Sequence, residues 1–292
     1  MKKAIIFGAN GQDGFYLIQL LKNKGIEVIG VSRSGDFLKT DIGSLEEVSA
    51  LIQKEQPDFI FHLAANSTTR HDAMFENHRT ISTGTFNVLE AVRLHAPNAK
   101  VFISGSGLQF QNLDLPIKET DPFEARDAYS VSRIQSVYAA RYFRTLGVKA
   151  YVGYFFNHDS PRRSERHMAQ KIAAYASRLS QGIVEEKLSI GDLSVVKEWT
   201  FAGDVVHGIW LLINQDDIFE ANISSGEGHS ILDWTALCFS LVGADYRDHV
   251  IEATGFKAEY KELVSDNSII RSLGFQTEID LPQLAKMMIH GS

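Results

Sequence analysis

Three side chains in the middle of the chain have the types and spacing that alcohol–ketone redox chemistry needs. Tyr129 and Arg133 stand four residues apart at the start of a helical pattern, so they share one face. Ser106 follows an apolar run, Val101–Ile103, that reads as a strand. A tyrosine serves as acid and base for a hydroxyl only if its pKa falls from about 10 toward neutrality. A shift of about 3 units asks for about 4 kcal/mol of preferential phenolate stabilisation. A fixed cation one helical turn away, with a positively charged nicotinamide, can supply that in a partly desolvated cleft. The serine hydroxyl then holds the reacting oxygen. Ser106, Tyr129 and Arg133 are the candidate catalytic residues.

A redox site of this kind needs a dinucleotide beside it, and the N-terminus offers one. The apolar run Ala4–Phe7 leads straight into Gly8-Ala9-Asn10-Gly11-Gln12-Asp13-Gly14, which opens a helical stretch near Tyr16. Glycines at this spacing permit a tight turn and a close approach of backbone to a pyrophosphate at a helix N-terminus. Gly8, Asn10, Gly11, Gln12, Asp13 and Gly14 are the cofactor candidates here, joined by Tyr129 and Arg133 at the nicotinamide end. The second strand ends on Ser32-Arg33-Ser34, with no carboxylate before Asp36. An Arg there suits a 2′-phosphate, whereas a carboxylate would suit a free ribose, so NADP is expected in preference to NAD. Asp41 and Ile42 are placed to flank the adenine. Leu63-Ala64-Ala65 closes another strand with small side chains that let the cofactor approach. His62 reads as a structural histidine, and the other histidines show no metal-ligand spacing, so no metal is expected.

The elements that must position these residues alternate. Strand candidates are Ala4–Phe7, Val28–Val31, Phe59–Leu63, Val101–Ile103 and Ala150–Phe155. Between them lie helical patterns over Tyr16–Lys24, Ser44–Gln56, Thr83–Leu94 and Ser132–Thr145. This predicts an α/β fold, a Rossmann-type doubly wound parallel sheet with helices on both faces. From about Asn157 the pattern loosens, with helices at Met168–Gln181, Val205–Ile213 and Leu281–Ile289. No repeat or flexible linker separates the halves. The expected division is a dinucleotide-binding domain over residues 1–160, with about 192–222 returning to it. A smaller α/β substrate-binding lobe would take about 161–191 and 223–292.

The 292 residues carry a formal net charge of −7, spread along the chain. That argues against a nucleic-acid surface. The apolar run after Met1-Lys2-Lys3 stops at Gly8, short of a signal peptide, and no stretch approaches a membrane span. Cys238 is the only cysteine, so no internal disulfide forms. A cytoplasmic enzyme with no membrane or nucleic-acid partner is expected.

Several longer blocks resemble the extended short-chain dehydrogenase/reductases, within the NAD-dependent epimerase/dehydratase family, and most closely the GDP-mannose 4,6-dehydratases. They are Gly8–Leu17 (GANGQDGFYL), Phe61–Ser67 (FHLAANS), Gly84–Arg93 (GTFNVLEAVR) and Phe156–Arg163 (FNHDSPRR), which runs on to Lys171-Ile172. Gly191–Val206 and Ser225–Ser230 are similar to the same group. The resemblance implies a cycle in which C4 of a GDP-hexose is oxidised, water leaves across C5–C6, and hydride returns to C6. It implies substrate contacts from Ser67, Asn157, Arg162, Arg163, Lys171 and Lys197, the last standing where these enzymes carry an Arg. A diphosphate ligand calls for such local cations on an acidic protein.

Three departures qualify what the resemblance implies. The family's Tyr-x-x-x-Lys is Tyr129-x-x-x-Arg133. Leu108 stands where the dehydratases have a catalytic Glu, and leucine moves no proton; Glu119 or Glu124 would have to substitute. The Ser34–Thr40 segment is much shorter than the dehydratases' tetramer-building loop. It is similar to that of the GDP-4-keto-6-deoxyhexose reductases, and it favours a homodimer. Three activities therefore stay open: 4,6-dehydration, a single-step C4 oxidoreduction, and silent nucleotide binding.

Overall fold

A computed structural model describes residues 1–66, 68–183, 186–256 and 258–291. Six strands form one parallel sheet: β1 (Lys3–Phe7), β2 (Glu27–Val31), β3 (Phe59–His62), β4 (Lys100–Ser106), β5 (Lys149–Phe155) and, out of sequence order, β10 (Glu220–Ile223). Their spatial order is β10-β5-β4-β3-β1-β2, and every neighbouring pair is parallel. The chain leaves β1 for β2 on one side and places β3 on the other. That reversal opens a crevice above the carboxyl ends of β1 and β3, where doubly wound sheets bind ligands.

The strands are apolar throughout because both faces are covered. β1 sends Ile5 and Phe7 into one core cluster and Ala4 and Ile6 into the other. The first face is covered by α2 (Leu45–Glu55), α4 (Gly84–His95) and α5 (Ala128–Thr145). A short α3 (Met74–Asn77) and a π-helical turn, His78–Thr83, lead into α4. The opposite face is covered by α1 (Gln12–Asn23) and α7 (Ala202–Ile213), which pack on each other. A short α10 (Ser268–Ser272) joins them through Ile270.

The remaining elements surround a third apolar cluster. It is built by α6 (Met168–Ser180), α8 (Ile231–Leu241) and α11 (Leu281–His290), with Trp199 stacked on Trp234 at 4.7 Å. Small pairings connect this region. β6 (His158–Asp159) pairs with β9 (Thr200–Phe201), β7 (Leu188–Ile190) with β12 (Val250–Glu252), and β8 (Val196–Glu198) with β11 (Gly228–Ser230) and β13 (Glu262–Leu263). A single turn, α9 (Tyr246–His249), precedes β12.

Two helices differ instructively from their sequence patterns. α1 begins at Gln12, four residues before Tyr16, because Gln12 is buried although polar and so breaks the apolar period. α8 (ILDWTALCFSL) is apolar nearly all round in sequence, yet its buried residues Ile231, Trp234, Thr235, Cys238 and Phe239 recur at helical spacing on one face, and the Ser230–Asp233 capping box marks its start. Among the described residues no helix is long and apolar enough to cross a membrane.

Candidate active site

Two adjoining clefts open at the carboxyl edge of the sheet and share Gly8, Gly11, Leu63 and Ala65. Gly8 adopts φ +94°, and a Cβ on it would lie 2.7 Å from the Ala64 nitrogen, so only glycine fits beside the end of β3. A Cβ on Gly14 would lie 2.4 Å from the Gly8 carbonyl oxygen, which seats α1 tightly on its own loop. Gly11 is different: its Cβ would meet only that carbonyl, at 3.2 Å. Gly11 also caps α1 without any side-chain hydrogen bond, leaving the first N–H groups of the helix free for an anion.

The outer cleft is lined by Asn10, Ser32, Arg33, Asp41, Ile42 and Ala64, all anticipated from the sequence. Asn10 donates to the Ser34 hydroxyl at 2.8 Å, and Arg33 pairs with Glu76 at 2.7 Å in an exposed bridge. Lys39, Arg79 and Arg166 add positive charge that the motif reading missed. Lys39 folds back to donate to the Ser32 and Gly35 carbonyls, and Arg79 bonds to Asp41. The Arg79 bond, with the Gly43 N–H, holds the exposed Asp41 carboxyl below its usual range.

The inner cleft brings Ser106, Tyr129 and Arg133 together with Gln12, Asp13 and Gly14. Ser106 ends β4, three residues further along the strand than the apolar run alone suggests, and its N–H donates to the buried Gln109 side chain at 2.9 Å. Tyr129 is fixed in the first turn of α5 because Asp127 caps that helix, accepting from the Tyr129 N–H at 2.8 Å and the Ser130 N–H at 2.9 Å. Arg133, one turn on, is buried, with its guanidinium 5.0 Å from the centre of the Tyr129 ring. Its Nη1 donates to the Ser104 carbonyl and, at 2.8 Å, to the Ser104 hydroxyl. The sheet therefore anchors the charge beside the phenol. His62 sits behind it, and burial, reinforced by Arg133, lowers its pKa to about 3; it is a neutral core residue.

Asn157 and Arg163 line the inner cleft too. The Asn157 side-chain oxygen is buried without a hydrogen-bond partner among the described residues, an acceptor open to a ligand hydroxyl. Arg163 is braced by Asp159 at 3.0 Å and by the His158 carbonyl at 2.7 Å. Three cations assigned to the substrate by resemblance lie elsewhere. Arg162 stacks on Phe15 at 3.9 Å, Lys171 donates to the Ser189 carbonyl at 3.0 Å, and Lys197 lies buried over Trp199 at 4.6 Å. Their neighbours capture them, and none lines either cleft. Ser67 lies outside the described residues.

Leu108 lines the inner cleft, and neither glutamate suggested as its substitute does. Glu119 accepts from the Asn222 N–H at 2.7 Å beside β10, and Glu124 pairs with Arg126. Among the described residues, Asp13 is the one carboxylate lining the inner cleft. His167 and Tyr260 line it as well, and neither was singled out in the sequence. Burial, then Arg163, lowers the His167 pKa, so its ring is neutral. No three His, Cys, Asp or Glu side chains cluster to hold a metal among the described residues.

Comparison with known proteins gives the site a context. A model of the GDP-mannose 4,6 dehydratase family matches residues 34–288. GDP-mannose 4,6 dehydratase 2 of Arabidopsis thaliana is 31% identical, covering 99% of this chain and 86% of its own length. The Vibrio cholerae GDP-mannose 4,6-dehydratase is 30% identical over 88% of this chain and 79% of its own. Among solved structures, RMD from Pseudomonas aeruginosa complexed with NADPH superposes with a TM-score of 0.87 at 19% identity, covering all of this chain and 97% of that one. UDP-glucose 4-epimerase from Thermotoga maritima with UDP-glucose gives 0.88 at 21% identity, covering 99% and 98%. At those identities the solved structures share the fold.

Proposed function

The chain belongs to the GDP-mannose 4,6-dehydratase family, and from that membership we propose that it is an NADP-dependent enzyme acting by hydride transfer at C4 of a GDP-hexose. The observation that carries the proposal is the meeting of Ser106, Tyr129 and the anchored Arg133 in one cleft with the glycine loop.

The residues present fit a dinucleotide. Gly11 puts no side chain at a helix start without a side-chain cap, where a pyrophosphate would sit. A 2′-phosphate at the end of β2 would meet Ser32 and draw Arg33 from Glu76 and Lys39 from the Ser32 and Gly35 carbonyls. Bound there, the nicotinamide supplies the hydride acceptor and donor. The protein's own part is proton management and positioning. Tyr129, as its phenolate, takes the C4 hydroxyl proton during oxidation and, as the phenol so formed, returns it on reduction, Ser106 holds the same oxygen, and Arg133 keeps positive charge beside the ring. Asn157 accepts from a sugar hydroxyl and Arg163 faces the diphosphate. The dinucleotide domain, residues 1–160 with α7, β10 and α10 returning to it, serves the cofactor. The lobe around the third apolar cluster, which takes β8 and Trp199 out of the 192–222 segment, serves the nucleotide-sugar together with Asn157.

One observation favours a second reading, a single-step C4 oxidoreduction. Leu108 occupies the cleft where elimination needs a proton-transfer group, and Glu119 and Glu124 are committed elsewhere. Incubation with NADP and GDP-mannose decides between the two. A product lighter by one water, formed without added NADPH, supports the dehydratase and dismisses the single-step reading. NADPH consumption on a 4-keto GDP-sugar with no water loss from GDP-mannose does the reverse. Tyr129→Phe should reduce whichever activity is found by about 100-fold or more. An undiminished Tyr129→Phe enzyme would remove the hydride-transfer proposal altogether.

A further inference from the structure

His158 ties the cofactor end of the site to the substrate end. Its Nδ1 lies 2.8 Å from the Phe156 carbonyl oxygen, and its Nε2 lies 2.9 Å from Asp13 Oδ1. A carbonyl only accepts, and so does a carboxylate. A neutral imidazole has a single N–H and cannot satisfy both. Either the ring carries two protons or Asp13 carries one. Burial pushes both groups toward neutrality, yet the His158 charge holds the Asp13 pKa down at about 2, and Asp13 raises that of His158. An imidazolium facing an ionised Asp13 satisfies both contacts at once.

Its place in the chain gives that charge a consequence. Asp13 is in the first turn of α1, where Gln12 and Asp13 would offer backbone N–H groups to a pyrophosphate. A bare carboxylate there repels the anion. Gln12 fastens the same junction, accepting from the Ser160 hydroxyl at 2.8 Å, and Ser160 leads on to Arg163. The charges of Asp13, His158, Asp159 and Arg163 cancel. Loss of the His158 proton leaves one net negative charge beside the glycine loop.

We propose that His158 is a positioning residue for both ligands: as a buried imidazolium clamped between the Phe156 carbonyl and Asp13, it neutralises that carboxylate beneath the pyrophosphate and locks the glycine loop to the segment bearing Arg163. The inference rests on the reading that the glycine loop holds a dinucleotide. The charged groups facing the ring are Asp13 from α1 and Arg163 from beyond β6, and the Phe155 ring packs against it at 5.3 Å.

The test measures NADPH binding by wild type, His158→Gln, Asp13→Asn and the double variant, together with the imidazole nitrogen resonances of His158. His158→Gln should weaken NADPH binding about tenfold or more, and adding Asp13→Asn should recover most of that loss. In wild type both ring nitrogens should carry protons at neutral pH, and in Asp13→Asn only one should. Unchanged NADPH binding in His158→Gln, no recovery in the double variant, or a neutral ring in wild type each overturns the proposal. Folded wild type that binds neither NADPH nor NADH sinks the dinucleotide reading instead, while the ring's protonation still answers for the clamp.

Discussion

At the scale of single residues, Leu108 is the position in the cleft at which the two proposed reactions part. Its side chain packs on the sheet's core while facing the same space as Ser106 and Tyr129. A carboxyl in that half-apolar spot would be partly desolvated, which raises its pKa and suits it to protonate a leaving hydroxyl. Leu108→Glu is therefore expected to create or increase loss of water from the GDP-hexose, read by mass spectrometry of the sugar. The substitution should cost about 1–3 kcal/mol of stability, because one polar group enters apolar surroundings without a partner. No change in product would mean that position 108 lies too far from C5 and C6. The triad around it was legible in the sequence because four-residue spacing on a helix and the end of a strand are local facts. The destinations of Arg162, Lys171 and Lys197 were not. Each is captured by a ring or carbonyl, and for Lys171 and Lys197 that partner lies in a segment whose face the sequence leaves undefined: Ser189 in one case, and Trp199 in a core wall in the other.

At the scale of elements, the glycine loop and α1 form one unit whose glycines do different work. Gly14→Ala drives a Cβ into the Gly8 carbonyl and Ala9, so it should lower the melting temperature as well as cofactor affinity. Gly11→Ala meets only the Gly8 carbonyl, at 3.2 Å, so it should lose less thermal stability than Gly14→Ala while losing about tenfold or more in NADPH affinity. Equal thermal losses in the two variants would contradict this division. The sequence located α1 but not its beginning, since Gln12 is buried by partners about 146 residues away, a distance no local period reports. The Asp13–His158 pair, which joins α1 to β6 across the same gap, also makes stability depend on pH. Asp13 has its pKa lowered from 3.8 to about 2, so its contribution is present above about 4 and is lost as pH falls toward 2. His158 is raised above 6.5, so its contribution is complete below 6.5 and is lost as pH climbs through the higher value. Melting temperatures across pH should show both shoulders, and Asp13→Asn should flatten them together.

At the scale of the whole molecule, the outer face of α4 and α5 has no covering element among the described residues. Phe86, Val131, Tyr138 and Tyr142 are all exposed there, and Phe86, Tyr138 and Tyr142 line a shallow groove with Ile134. Aromatic side chains gathered on two adjacent helices form the kind of apolar patch that monomers seldom leave in water. The β2 edge is closed by its own chain, since the short segment after Arg33 returns so that Leu38 and Gly30 bond at 3.1 Å. A second copy related by a twofold axis would pair α4 and α5 with themselves as a four-helix bundle and bury the patch on both sides at once. The expected species is a homodimer of about 65 kDa, twice the 32.6 kDa chain. Phe86→Glu with Tyr138→Glu places two carboxylates on each side of that seam, where like charges face each other across the axis. Light scattering on a sizing column should then report monomer, and because both positions face solvent in the single chain, the fold should survive. A dimer that persists in the double variant would put the contact on another surface, and a wild type that runs as a monomer would leave these aromatic residues to some other occupant.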